Sequence, residues 1–251
     1  MKRAILVISF GTSYNDTLEK TIGAVEKTIG FKTGDKVSRA FTSEVIINKI
    51  YKRDGIKIDT VKAALQKLYA AGYTDIFCVP TYIMNGMEYD KACMMANEFS
   101  NRLNIKISRP LISQPEDYFR IVDIFKKYLT DRDCLYVFMG HGSEHFANLL
   151  YSELDYHFKI SGMKNVFVKT IEGFSNLETV IEYAKKSRLK NVVLRPFLLV
   201  SGSHARNDMC GEWKKIFEEN GFNVRCDLTG LGEIDEIQEM YFEHLRDIWE
   251  R

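Results

Sequence analysis

Long apolar runs are missing from this chain. None approaches the roughly 18 consecutive apolar residues that a membrane-spanning helix requires, so no membrane partner is expected. The apolar stretch after the basic start Met1-Lys2-Arg3 covers only Ala4 to Ile8. That is too short for the core of a secretion signal, and a cytoplasmic protein is expected. Excess charge is missing too: 35 Lys and Arg stand against 34 Asp and Glu, a net charge of +1. This balance argues against a dedicated nucleic-acid surface. Among the cysteines Cys78, Cys93, Cys134, Cys210 and Cys226, no pair has C-x-x-C spacing; they read as buried reduced thiols. There is no G-x-G-x-x-G and no lysine placed after a phosphate-binding glycine loop. There is no G-x-S-x-G elbow either. No nucleotide cofactor is therefore expected.

What is present is an ordinary globular composition, 45% hydrophobic and 27% charged. Short apolar, β-rich runs alternate with stretches of helical periodicity. The runs predict strands over 4–9, 36–41, 75–80, 105–112, 134–139, 165–171, 191–199 and 222–228. Ser13 with Asp16 fits a capping box for a helix through Leu18, Ile22, Val25 and Ile29. Further helices are predicted over 60–71, 115–129, 144–158, 176–187, 205–220 and 233–251, with Ser175 and Glu178 as a second capping box. This order predicts an α/β protein with four-stranded, mainly parallel sheets flanked by helices. The division is placed at residue 130, giving an N-terminal lobe over 1–130 and a C-terminal lobe over 131–251.

An internal repeat supports two lobes. Val7-Ile8-Ser9-Phe10-Gly11 matches Val137-Phe138-Met139-Gly140-His141, Val37 to Ser43 matches Val166 to Glu172, and Pro80 to Glu88 matches Pro196 to His204. The matches set Gly11 opposite His141, Ser43 opposite Glu172 and Glu88 opposite His204. Two similar units are expected to face each other across a cleft, a favoured place for a ligand.

Only five histidines are available: His141, His145, His157, His204 and His244. His141 and His204 each follow an apolar run that reaches glycine, so each belongs to the C-terminal end of a strand, where open α/β sheets bind ligands. Glu172 ends a third run of the same half. Imidazole and carboxylate together suit a borderline divalent cation and also accept protons near neutral pH. Each has a plain structural alternative: a loop histidine bonding backbone for His141, a helix opening for His204, a helix-start acid for Glu172. His145 is read either as part of a wall of the cleft or as an exposed residue. His157 and His244 fall inside helical stretches and read as structural or surface residues.

Met139-Gly140-His141-Gly142-Ser143, Thr170-Ile171-Glu172-Gly173 and Arg195 to Met209 resemble the anaerobic sirohydrochlorin cobaltochelatases of the class II chelatase superfamily. Ile8 to Ser13 and Val79 to Tyr89 resemble them as well, so the likeness covers essentially the whole chain. The resemblance implies two Rossmann-like lobes with the active site in a cleft between them. It implies ATP-independent insertion of Co2+ into a sirohydrochlorin tetrapyrrole in cobalamin biosynthesis; Fe2+ or Ni2+ insertion and a non-catalytic tetrapyrrole- or metal-binding protein are the alternatives. It places the metal and catalytic roles on His141, Glu172 and His204. Phe10, Tyr82, Met84, Met87, Tyr89, Phe197 and Leu198 are the candidate apolar wall for the ring. Glu88 is read either as a helix N-terminal acid or as a cleft acid, and Arg206 is a candidate partner for the carboxylates of the substrate. The oligomeric state is left open.

Overall fold

The structure, a computed structural model, describes residues 2–173 and 177–250. Among the described residues, eight strands form two sheets of identical order. Strands β1 (Arg3–Ser9), β2 (Lys36–Phe41), β3 (Asp75–Pro80) and β4 (Asn104–Ile107) lie in the order β2-β1-β3-β4. Strands β5 (Cys134–Gly140), β6 (Val166–Thr170), β7 (Asn191–Pro196) and β8 (Asn223–Cys226) lie in the order β6-β5-β7-β8. Every pairing is parallel. The inner strands are buried on both faces, which is why β1 and β5 read as unbroken apolar runs rather than as alternation.

The helices are α1 (Asn15–Lys20), α2 (Ile22–Thr33), α3 (Glu44–Asp54), α4 (Val61–Ala70), α5 (Met87–Asn97), α6 (Pro115–Tyr128), α7 (Leu149–Ile160), α8 (Leu177–Lys186), α9 (Lys214–Glu219) and α10 (Asp235–Trp249). A π-helical segment, Ala205–Trp213, runs directly into α9. The expected capping box at Ser13 does not form: Tyr14 is the N-cap of α1, with no side-chain cap. The single helix expected there also breaks at Thr21. This residue is fully buried, and its hydroxyl donates back to the Thr17 carbonyl at 2.6 Å, a bond that competes with the helical ladder. The other expected box rests on Ser175, which lies outside the described residues. Strands β4 and β7 end earlier than expected, at Ile107 and Pro196; Pro196 has no N–H with which to continue a ladder.

The chain forms two compact units, Met1–Ser113 with Gly232–Arg251, and Gln114–Leu231. The expected division at residue 130, with the last helix in the second lobe, is therefore shifted at both ends. Helix α6 belongs to the second unit, where Phe125 packs edge-on against Phe138 at 4.6 Å between ring centroids. Helix α10 returns to the first unit. Its Ile237, Met240, Tyr241 and Leu245 are fully buried, and it lies against α2, β3 and β4. Polar bonds fix it there. Thr28 donates to Gln238 at 2.7 Å, the Trp249 indole donates to Asp35 at 2.7 Å, and the Tyr241 hydroxyl donates to the Tyr82 carbonyl at 3.3 Å.

Candidate functional site

In the second unit His141 and Glu172 follow closely on the ends of β5 and β6, whereas His204, expected at a strand end, stands eight residues beyond the end of β7 at the opening of the π-helical segment. Strand β5 ends at Gly140, and the next residue is His141. The Glu172 amide donates to the His141 carbonyl at 2.9 Å, so the turn after β6 is bonded to the turn after β5. Gly142 holds a left-handed backbone, φ +85°, and a Cβ there would collide with the Glu172 carbonyl oxygen. A Cβ at Gly140 would collide with the Tyr151 ring. The glycines on either side of His141 are thus required by close approach.

The resulting geometry is open. The rings of His141 and His204 meet edge to face with centroids 4.8 Å apart. Nδ1 of His141 lies 3.1 Å from the Gly142 carbonyl and 3.9 Å from Oε2 of Glu172. The latter gap is too long for a hydrogen bond. His141 and Glu172 keep side-chain exposures of 46% and 58%, so both reach solvent. Among the described residues, however, no group of three or more His, Cys, Asp or Glu side chains is gathered closely enough to hold a metal ion. Two imidazoles and one carboxylate are brought near one another without forming a finished cage.

Two supporting residues had no place in the sequence reading. Nδ1 of His204 lies 2.7 Å from Oδ2 of Asp208; the signal was there, as an acid four residues after the histidine at a helix opening. Tyr151, on α7, is buried beneath the β5 turn, with its ring close against Gly140. Burial pushes its hydroxyl up to about 12, so it stays a neutral phenol. Only tertiary packing reveals it. The turn is stitched further: the Ser143 amide donates to Oδ1 of Asn148 at 3.1 Å and the His145 amide to Oγ of Ser143 at 3.0 Å.

The remaining candidates sort as follows. Nδ1 of His145 accepts from the Ala147 amide at 3.2 Å, opening the short 3-10 turn Phe146–Asn148 that interrupts the helix expected from residue 144. His157 and His244 are buried, which makes them structural residues and not surface ones. Arg206 is an exposed residue of the π-helical segment. Phe197 is fully buried and packs on Phe138, so it is core and not a wall for a ligand. In the first unit, Phe10 follows β1 and is half exposed. Oε2 of Glu88 accepts from the Thr42 hydroxyl at 3.2 Å, and that hydroxyl also bonds the Tyr82 hydroxyl at 2.8 Å. The Tyr89 hydroxyl donates to the Ser108 carbonyl at 3.1 Å, and burial drives its ionisation well above the ordinary tyrosine range. These two polar groups are engaged within their own unit.

The structure also corrects the repeat by one residue. The Ser43 amide donates to the Phe10 carbonyl as the Glu172 amide donates to the His141 carbonyl. Phe10, and not Gly11, is therefore the counterpart of His141, and Gly11 corresponds to Gly142, both with positive φ. The match of Glu88 with His204 keeps its register: Thr81 and Phe197 make the same bond to the neighbouring strand, as do Leu111 with Tyr82 and Leu231 with Leu198.

Known proteins resemble this chain over nearly its whole length. The family model described as cobalt chelatase (CbiK) matches residues 3–250. A sirohydrochlorin cobaltochelatase of Salmonella typhimurium is 37% identical, covering 98% of this chain and 96% of that protein. The sirohydrochlorin cobaltochelatase CbiKC of Nitratidesulfovibrio vulgaris is 28% identical, covering 97% and 89%. Among solved structures, SirB from Bacillus subtilis with Fe3+ superposes with a TM-score of 0.71 at 14% identity, covering 98% of this chain and 95% of that one. That likeness is one of fold, while the family match and the 37% identity run from end to end. The chain belongs to the cobalt chelatase (CbiK) family.

Proposed function

We propose that this protein inserts divalent cobalt into sirohydrochlorin, and that His141, His204 and Glu172 handle the ion. The observation that carries the assignment of residues is the meeting of His141 and His204 at 4.8 Å, with Glu172 bonded through its backbone to the His141 turn. Family membership and the names of the curated relatives support the reaction.

The chemistry explains why an incomplete site is suited to the task. A chelatase holds its metal as a substrate and must give it up to the macrocycle nitrogens. A full protein shell would retain the ion; two imidazoles and a carboxylate leave positions open for the incoming nitrogens. The pyrrole N–H groups must lose two protons as the metal enters. An imidazole without metal on its free nitrogen is a suitable acceptor near neutral pH. In the first unit, exposed Phe10 offers ring surface for the tetrapyrrole. Exposed Arg206, in the second unit, is the proposed partner for a peripheral carboxylate. Fe2+ and Ni2+ suit the same donors. A cytoplasmic location is part of this reading, supported by five thiols that are unpaired in the structure.

The test is a multiple-turnover assay with purified protein, excess sirohydrochlorin, and cobalt, iron or nickel in parallel, followed by absorbance. Product in excess of enzyme, fastest with cobalt, is expected. A spectral shift that stops at one equivalent would make the protein a carrier, and faster turnover with iron or nickel would change the metal.

A further inference from the structure

The contact between His204 and Asp208 has a geometry that a chance surface pair lacks. The two residues are four apart at the opening of the π-helical segment. Ala205 and Met209 are fully buried and Trp213 nearly so, again at intervals of four. A π-helix turns in more than four residues, so this winding keeps one face with a period near four inside. His204 and Asp208 each precede a buried member of that series by one residue. They rise side by side on an adjoining face, with exposures of 45% and 35%. The buried residues fix the segment, and the segment fixes the pair.

An ionised carboxylate only accepts hydrogen bonds. At 2.7 Å from Oδ2 of Asp208, Nδ1 of His204 is therefore the donor, and the lone pair is left on Nε2. Imidazoles that bind metals commonly have the other nitrogen engaged in this way, which fixes both tautomer and ring orientation. We propose that Asp208 is a positioning residue, holding His204 in the Nδ1–H form so that Nε2 is presented to the divalent ion. The proposal rests on the reading of His204 as a metal-handling residue. Asp208 touches neither ion nor tetrapyrrole; it acts through the ring.

The experiment combines two readouts on Asp208→Ala and Asp208→Asn, the second keeping the side-chain volume in case the first lowers the melting temperature. With 15N-histidine label, long-range nitrogen-proton correlation at alkaline pH reports the tautomer of each neutral ring; His204→Ala assigns the signal. The parent is expected to show His204 protonated at Nδ1, and Asp208→Ala to shift it towards the Nε2–H form. In steady-state assays the KM for cobalt is expected to rise about 10- to 100-fold, with the KM for sirohydrochlorin unchanged and a smaller effect for Asp208→Asn. A raised cobalt KM without a change of tautomer would overturn the proposal, since Asp208 would then be a direct ligand. A changed tautomer with an unchanged cobalt KM would overturn it as well. If His204→Ala itself turns over like the parent, the reading of the site fails, and this result is distinct from either outcome at Asp208.

Discussion

The two units share one backbone and differ at its strand ends. Both sheets have the same order, and the turns after the first two strands of each make equivalent hydrogen bonds. In the first unit the polar side chains there bond one another: Ser9 with Thr81 at 2.7 Å, Thr42 with Tyr82 at 2.8 Å, Glu88 with Thr42 at 3.2 Å. In the second unit, His141, Glu172 and His204 occupy positions equivalent to Phe10, Ser43 and Glu88, and they face solvent. The frame supplies a place; the residue put there decides whether it closes on itself or stays available. A buried hydroxyl pair stabilises a fold because an unmet donor is costly. An exposed imidazole contributes little to the fold and is available for chemistry.

The largest effect should come from emptying the second unit's positions. His141→Ala and His204→Ala are expected to lower turnover by about 10²–10⁴-fold, the usual weight of a positioned acid or base, with little change in melting temperature. The counterpart Phe10→Ala should instead raise the KM for the tetrapyrrole and leave that for cobalt alone. Equal losses at Phe10 and His141 in both constants would erase the distinction between the units.

Next in size is the backbone. Gly142→Ala forces an unfavourable φ and a clash with the Glu172 carbonyl, and should cost about 1–3 kcal/mol in denaturant unfolding. Because the atom displaced belongs to Glu172, turnover should fall further than the stability loss explains. Gly11→Ala meets the Phe41 ring and should cost stability with a smaller catalytic effect. Tyr151→Phe removes a buried hydroxyl next to the His141 turn and should cost about 1–3 kcal/mol. Hydrogen exchange at His141 and Gly142 should quicken accordingly.

The smallest effect concerns the edge of each sheet. In the first unit Arg39 on β2 is bonded by both oxygens of Glu26, at 2.7 and 2.6 Å. In the second, Lys159 on α7 donates to the Val166 carbonyl of β6 and lies over the Phe167 ring, with Asp155 at 3.8 Å. Burial lowers its pKa to about 8, partly offset by Asp155 and reinforced by nearby Lys169. The charged form is therefore disfavoured in the folded state, and between about pH 8 and the ordinary lysine range the unfolded chain binds more protons. Stability should rise with pH across that window, and Lys159→Met should flatten the rise in thermal melts. A parent melting temperature that falls through the window while the variant's stays flat would reverse the assignment.

Much of this was legible in the sequence, for reasons particular to each element. Inner strands such as β5 are continuous apolar runs because both faces are covered. Glycines flank His141 because backbone and ring approach too closely for a Cβ, so the motif marked its own turn. The repeat was visible, yet off by one at His141, because side-chain likeness aligned Gly11 with a histidine where hydrogen bonding aligns Gly142. The membership of α10 was not legible: its stripe of Ile237, Met240, Tyr241 and Leu245 says that one face is buried and not against which sheet. The π winding was hidden as well, since a period near four in Ala205, Met209 and Trp213 is compatible with an ordinary helix over so short a stretch.

The return of α10 to the first unit has a consequence for how the protein is made. The second unit is one unbroken stretch, Gln114–Leu231, and is complete once its own residues have emerged from the ribosome. The first unit begins earlier but lacks Gly232–Arg251, which are made after the second unit. At ordinary rates of synthesis the intervening stretch takes on the order of ten seconds. Through that interval the ground that α10 will occupy, on α2, β3 and β4, has no permanent cover. The unit that starts first is closed only after the other, and a nascent chain stalled at Leu231 would carry a finished second unit and an open first one.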